Sequence, residues 1–129
     1  MSFDPNGKIK DSENLFRSFT YDQWKHSDNR VTSAVFNSSN SVSVDRDGGR
    51  EKPEIISTFQ ARKNYENCGL IENSAKFYRE IECTLTPDPI KPENIYHTLV
   101  DKKNGTGTNN SIGRKLCKNA SLVIMAVSN

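Results

Sequence analysis

Ile95-Tyr96-His97-Thr98-Leu99-Val100-Asp101 runs into Lys102-Lys103-Asn104-Gly105-Thr106-Gly107-Thr108, and this stretch decides the fold. The first seven residues are β-prone and contain no breaker. The next seven are a polar Gly/Thr loop, so a strand ends in a turn. Before the strand stands a proline-bounded loop with Pro87, Asp88, Pro89 and Pro92. After the turn, Asn109, Asn110 or Ser111 can cap a short basic helix through Asn119. Leu122-Val123-Ile124-Met125-Ala126-Val127 is continuously apolar, the pattern expected of a central strand buried on both faces. Strand, helix and strand in this order point to an α+β domain.

The same reading extends towards the N-terminus. Residues 1–13 are polar, with Pro5 and Gly7, and are expected to form a loose lead-in to a single domain over 14–129. Leu15-Phe16-Arg17-Ser18-Phe19 reads as a strand with Phe16 on one face and Arg17 on the other. Thr20 to Arg30 is too polar for a core element and suits a surface loop or one helical turn. Val31 to Phe36 and Ser41 to Asp45 are β-prone, and their Asn/Ser spacer predicts a hairpin. Pro53 in a first turn predicts a helix over 54–63, with Ile55, Ile56 and Phe59 as its buried stripe. Gly69-Leu70-Ile71 is a short strand. Asn73 to Leu85 alternates like a strand, but Ser74 can cap a one-turn helix through Arg79, with a strand from Glu80 onward, and that reading is preferred. The expected whole is a mixed, largely antiparallel sheet of about five or six strands with two or three short helices.

Composition narrows the function classes. The 129 residues suffice for one domain with its own core. The formal net charge of +2 is too small to signal nucleic-acid binding. No apolar run approaches a membrane span, and the first residues lack an apolar signal core, so cytoplasmic residence is the default expectation. Cys68, Cys83 and Cys117 are widely spaced and odd in number. They form neither a CxxC pair nor a Cys/His ligand spacing, so neither a zinc knuckle nor a disulfide framework is indicated; no metal and no cofactor are expected. The Asn-, Lys- and Ser-rich, Ala-poor composition suggests an AT-rich genome, as in a low-GC bacterium or its phage.

An ordered set of short motifs spans Leu15 to Ala120. It comprises Leu15-x-Arg17, Ser33-Ala34-x-Phe36, Val42-Ser43-Val44-Asp45, Asp88-Pro89, Asn94-x-x-His97-Thr98-x-Val100-x-Lys102-Lys103 and Ser111-Ile112-x-Arg114-Lys115-Leu116. The set resembles a group of small uncharacterised bacterial proteins. The resemblance implies no activity; it singles out residues. Members carry Asn-Pro ahead of the histidine segment and a glycine after the valine, where this chain has Ile95 and Asp101.

His97 is the leading candidate. An imidazole titrates near neutral pH and can act as acid, base or hydrogen-bond donor to an anion, although sharing a strand face with Ile95 and Leu99 suggests burial and fits a structural, hydrogen-bonded histidine. Lys102, Lys103 and the glycines after them can cradle a phosphate ahead of a helix N-terminus, or simply connect two elements. Arg17, Ser33, Asp45 and Arg46 can line one polar cleft, with Arg17 as an anion clamp or as the ion-pair partner of Asp45. Asp45 can orient His97 as the second member of a catalytic pair. Arg114 shares a helix face with Lys118 and is included among ligand-binding candidates. Trp24, with Tyr21 and His26, offers a surface for a protein partner or covers a sheet edge. The leading expectation is a small binding module for an anionic nucleotide-like ligand or an acidic protein partner, in a setting such as bacterial defence or phage counter-defence. The alternatives are a nucleotide-directed transferase or nuclease using His97 as acid/base, and an immunity-type interaction domain.

Overall fold

The structure is a computed structural model that describes residues 3–128. Eight strands and three α-helices follow one another as β1 (Asn14–Phe19), β2 (Trp24–Lys25), β3 (Arg30–Val31), β4 (Val42–Arg46), α1 (Lys52–Gln60), β5 (Gly69–Ser74), α2 (Ala75–Glu80), β6 (Cys83–Pro87), β7 (His97–Lys102), α3 (Asn110–Asn119) and β8 (Ser121–Ile124). Six strands form one sheet in the order β6-β7-β4-β1-β5-β8, and β2 and β3 form a small hairpin beside it. Every strand pairing is antiparallel. The α+β class is as expected; among the described residues the sheet contains no parallel pair.

Alternation divides the side chains between two faces. Leu15, Phe19, Val42, Val44, Ile71 and Val100 point to the major core, which α3 closes with Ile112, Leu116 and Cys117. Phe16 and Leu70 point the other way, where α1 contributes Ile55 and Phe59 to a second, smaller core. Local signals place the helices. Ser74 accepts a hydrogen bond from the Phe77 amide and starts α2, and Asn109 accepts from the Ile112 amide and starts α3. Pro53 sits in the first turn of α1, as its fixed φ favours. That helix runs over Lys52–Gln60 and ends before Arg62 and Lys63, which lead into a 3-10 turn at Lys63–Tyr65.

Two expectations are corrected. Val31 to Phe36 does not pair with Ser41 to Asp45. Ser33–Val35 forms a 3-10 turn, with Val35 and Phe36 buried beneath α3. Gly113 permits that approach, because a Cβ there would stand 2.8 Å from the Ser33 carbonyl oxygen. Trp24–Lys25 takes the hairpin role against Arg30–Val31. Second, the last apolar run is not central. Strand β8 lies at the sheet edge, paired only with β5, and Leu122 and Val127 are exposed. An apolar run specifies burial of some side chains, not the number of strand neighbours; here Ala126 reaches the major core while Leu122 faces solvent.

Residues 4–13 carry no helix or strand, yet they are tied down. Ile9 lies in the major core, and buried Arg46 on β4 donates to both Glu13 carboxylate oxygens and to the carbonyls of Gly7 and Lys8. No helix among the described residues is long and apolar enough to cross a membrane.

Candidate functional site

A six-stranded sheet is about 24 Å wide at the usual strand spacing, whereas a helix the length of α1 spans only about 14 Å. One such helix cannot cover the face. Its apolar stripe covers β1 and β5, and the β4–β7 side of the same face stays open. There a hollow of about 560 Å³ forms. Its floor carries Ser43 and Asp45 of β4 and His97 of β7. Arg62, Lys63 and Tyr65 wall one side, and Ile90, Glu93 and Asn94 the other. Phe59 and Tyr65 stack at 5.1 Å between ring centroids and give that wall an aromatic edge.

Arg17 reaches the hollow by an unusual route. Its neighbours Leu15 and Phe19 face the major core, but the register between β1 and β4 stops after Leu15↔Arg46 and Phe16↔Asp45. Past that point the Arg17 guanidinium bridges from β1: Nε donates to the Val35 carbonyl at 3.1 Å and Nη1 to the Ser43 carbonyl at 2.9 Å. The Ser43 bond replaces part of the missing ladder, and the Val35 bond ties β1 to the 3-10 turn. A guanidinium carries five N–H donors, so three are left. Arg17 forms no ion pair among the described residues. Burial pulls its pKa down, with the nearby Tyr78 and Tyr65 phenols acting in the opposite sense, but a guanidinium remains charged in a protein. The result is a desolvated cation on the wall of the cavity that forms an ion pair with neither carboxylate lining it, Asp45 or Glu93.

Asp45 and His97 are cross-strand partners in register, yet they do not form the expected pair. The Asp45 carboxylate accepts from Arg62 Nη1 at 3.1 Å and from Asn94 Nδ2 at 2.7 Å. His97 instead turns Nδ1 towards Asp88, 3.0 Å from its carbonyl oxygen and 3.1 Å from Oδ2. The orienting carboxylate therefore comes from the proline-bounded loop, and Arg62 rather than Arg17 is the ion-pair partner of Asp45. The side chain of His97 is 14% exposed, so the ring is held but reachable. Asp88 stands nine residues before His97, a spacing without any local periodicity. Only the β6–β7 hairpin brings them together: Pro87 lies opposite Thr98, and the Asp88 amide donates to the His97 carbonyl.

Arg17, Asp45 and His97 thus share the hollow, and the other candidates lie elsewhere. Arg46 faces the opposite side of the sheet, its guanidinium consumed by Glu13, Gly7 and Lys8. Ser33 is in the 3-10 turn against α3. Arg114 is exposed on α3, which packs on the major-core face. Lys102 and Lys103 lie at the far end of β7 from His97, about 16 Å along the strand for Lys102. The Gly/Thr loop beside them is not an open anion cradle. The Gly107 amide donates to Asp101 Oδ1, the Lys102 amide to the Gly107 carbonyl and the Thr108 amide to the Ser38 carbonyl, and Asn109 already caps α3. Trp24 is half-buried and stacks on Phe19 at 5.7 Å, covering the end of the major core. Sequence reasoning missed Lys63, Tyr65 and Asp88. Lys63 falls at the end of the expected helix over 54–63, and Tyr65 lies just beyond it, in a segment that carries no sequence signal.

The chain matches no protein-family model, no curated protein and no solved structure.

Proposed function

We propose that the protein is a binding module for a small anionic, nucleotide-like ligand, held in the hollow beside α1. The observation that carries this reading is the Arg17 guanidinium: it lines the cavity, keeps N–H groups free and, among the described residues, forms no ion pair. Charges in such positions are balanced by something, and an anion with several acceptor oxygens fits a planar fork of donors. Lys63, exposed at the rim, adds a second positive charge. The Phe59–Tyr65 edge offers a π-face on which a planar base can stack. The volume lies within the range of small-molecule sites.

Thermal denaturation with AMP, ADP and ATP, and adenosine as the uncharged control, tests the reading. A nucleotide at a hundred times its Kd stabilises the fold by about 2.7 kcal/mol. The phosphorylated ligands should raise Tm, adenosine should not, and Lys63→Ala should reduce the rise. Arg17→Ala lowers the starting Tm by removing two bonds to backbone carbonyls, so the measured quantity is the ligand-induced rise, which should vanish. No rise with any nucleotide overturns the proposal.

The Asp88–His97 contact favours a second reading, a nucleotide-directed transferase or nuclease. There His97, oriented by Asp88, would exchange a proton with a hydroxyl or water near a phosphate that Arg17 holds. Under this reading His97→Gln abolishes turnover while leaving the Tm rise intact.

A further inference from the structure

Nδ1 of His97 faces two oxygens of Asp88, a backbone carbonyl and a carboxylate. A carbonyl oxygen can only accept, so both contacts are satisfied together when Nδ1 carries a hydrogen. That fixes the tautomer of the neutral ring: Nδ1 is the donor and Nε2 holds a lone pair. Nε2 makes no hydrogen bond to any described residue, and the ring lines the hollow. In the neutral ring Nε2 therefore repels the oxygens of an anion; in the imidazolium it donates to them.

We propose that the hollow takes a phosphate ester as a donor–acceptor pair with protonated His97, so that ligand binding draws one proton onto Nε2. This rests on the anion-binding reading above and adds to it both a defined ligand group, the phosphate, and pH control. Asp88 is the positioning residue, since its carboxylate directs the Nδ1–H and stabilises the imidazolium.

Charged groups line the hollow around His97. Asp45, opposite His97 on β4, is already engaged by Arg62 and Asn94. Glu93 lies on the loop wall, and Arg17 and Lys63 stand across the hollow. A phosphate in the hollow offsets these positive charges, and its oxygens accept from Nε2–H. Ligand and proton then bind with positive coupling, each strengthening the other by the same factor.

Two measurements test the proposal. Long-range proton–nitrogen NMR of the free protein at pH 8, with His97 assigned by its loss in His97→Gln, should show the Nδ1–H tautomer. Finding the Nε2–H tautomer overturns the proposal. Titrations with ADP and with inorganic phosphate at pH 6 and pH 8 provide the second. Affinity for ADP should be higher at pH 6 than at pH 8, because only the protonated ring donates from Nε2. His97→Gln places an untitrating amide donor on the same side chain and should remove that difference, leaving only the part due to the phosphate's own ionisation. Asp88→Asn should flatten the pH profile of the wild type. An identical pH profile in wild type and His97→Gln overturns the proton-coupled assignment while the anion-binding reading stands. If neither ADP nor phosphate binds at either pH, both fall. Binding of phosphate alone, as tight as ADP, keeps the phosphate site and removes the nucleoside from the reading.

Discussion

Removing the Glu13 carboxylate is predicted to be the most damaging single charge deletion in the molecule. Both partners of the Glu13–Arg46 pair are buried, with side chains 8% and 4% exposed. Arg46 Nε lies 3.0 Å from Glu13 Oε1 and Nη2 lies 2.7 Å from Oε2. The same carboxylate accepts from the Lys10 amide at 2.9 Å and from the Gly48 amide at 3.1 Å. Glu13→Ala strips four donors of their acceptor and leaves a guanidinium charge out of reach of water. Breaking a buried pair in this way costs about 3–5 kcal/mol, a large share of the roughly 5–15 kcal/mol that holds a domain together. At about 4 °C per kcal/mol for a chain of this size, Tm should fall by about 12–20 °C. Urea denaturation followed by circular dichroism gives the free energy directly. Replacing both residues by apolar ones, Glu13→Leu with Arg46→Met, should restore most of the loss, because no charge is then stranded. A Glu13→Ala cost under about 1 kcal/mol is what an exposed pair gives. That result would refute both the burial of the pair and its role in tying residues 7–13 to β4.

Acid should act through the same carboxylate. Burial pushes the Glu13 pKa up, but the Arg46 side-chain bond, the Lys10 and Gly48 amides and the Arg46 charge outweigh it and hold the value below the usual 4.5. A depressed folded pKa contributes stability above the unfolded value, and that contribution is lost as pH falls through the folded one. Wild type should therefore lose stability more steeply than Glu13→Gln below about pH 5, as read by urea midpoints. Asn109→Ala should cost about 1 kcal/mol by removing the side-chain cap of α3, measured the same way. Gly107 has φ +78°, and a Cβ there would collide with the Ser38 carbonyl oxygen; Gly107→Ala should destabilise by at least about 1 kcal/mol. The thiol of Cys83 is pushed up to about 11 by burial, with the Asp101 charge acting in the same direction. Under native conditions at pH 8 a thiol reagent should modify half-buried Cys68 first and leave Cys83 unreacted until the protein unfolds.

Much of the architecture was legible because its signals are local. Ser74 and Asn109 start helices by bonding amides three residues ahead, a relation written in the sequence alone. Alternation in His97–Lys102, and for Leu15, Phe16 and Phe19, assigns which side chains share a face, while Arg17 departs from it to reach the hollow. The Val31–Phe36 segment misled because β-prone residues also suit a buried 3-10 turn when a helix with a glycine at the contact packs on it. The candidate site was half legible. Arg17 and Asp45, expected in one cleft, and His97, expected beside Asp45, all line the hollow. Asp88 was quoted only as part of a loop, and Arg46, the more conspicuous arginine beside Asp45, belongs to the other face.

The chain by itself determined the class of fold, the positions of its capped helices and, Arg17 apart, the face on which the strand residues fall. Tertiary structure alone decided which strands are neighbours, that β1 and β4 part beyond Phe16 so that Arg17 fills the gap, and that α1 leaves the β4–β7 side of its face open. The physical reason is that alternation carries only a parity. It tells a side chain which side of a sheet to occupy, but not what will stand opposite it. That is set by competition among all strands for partners and by how far one nine-residue helix can reach across a six-stranded sheet.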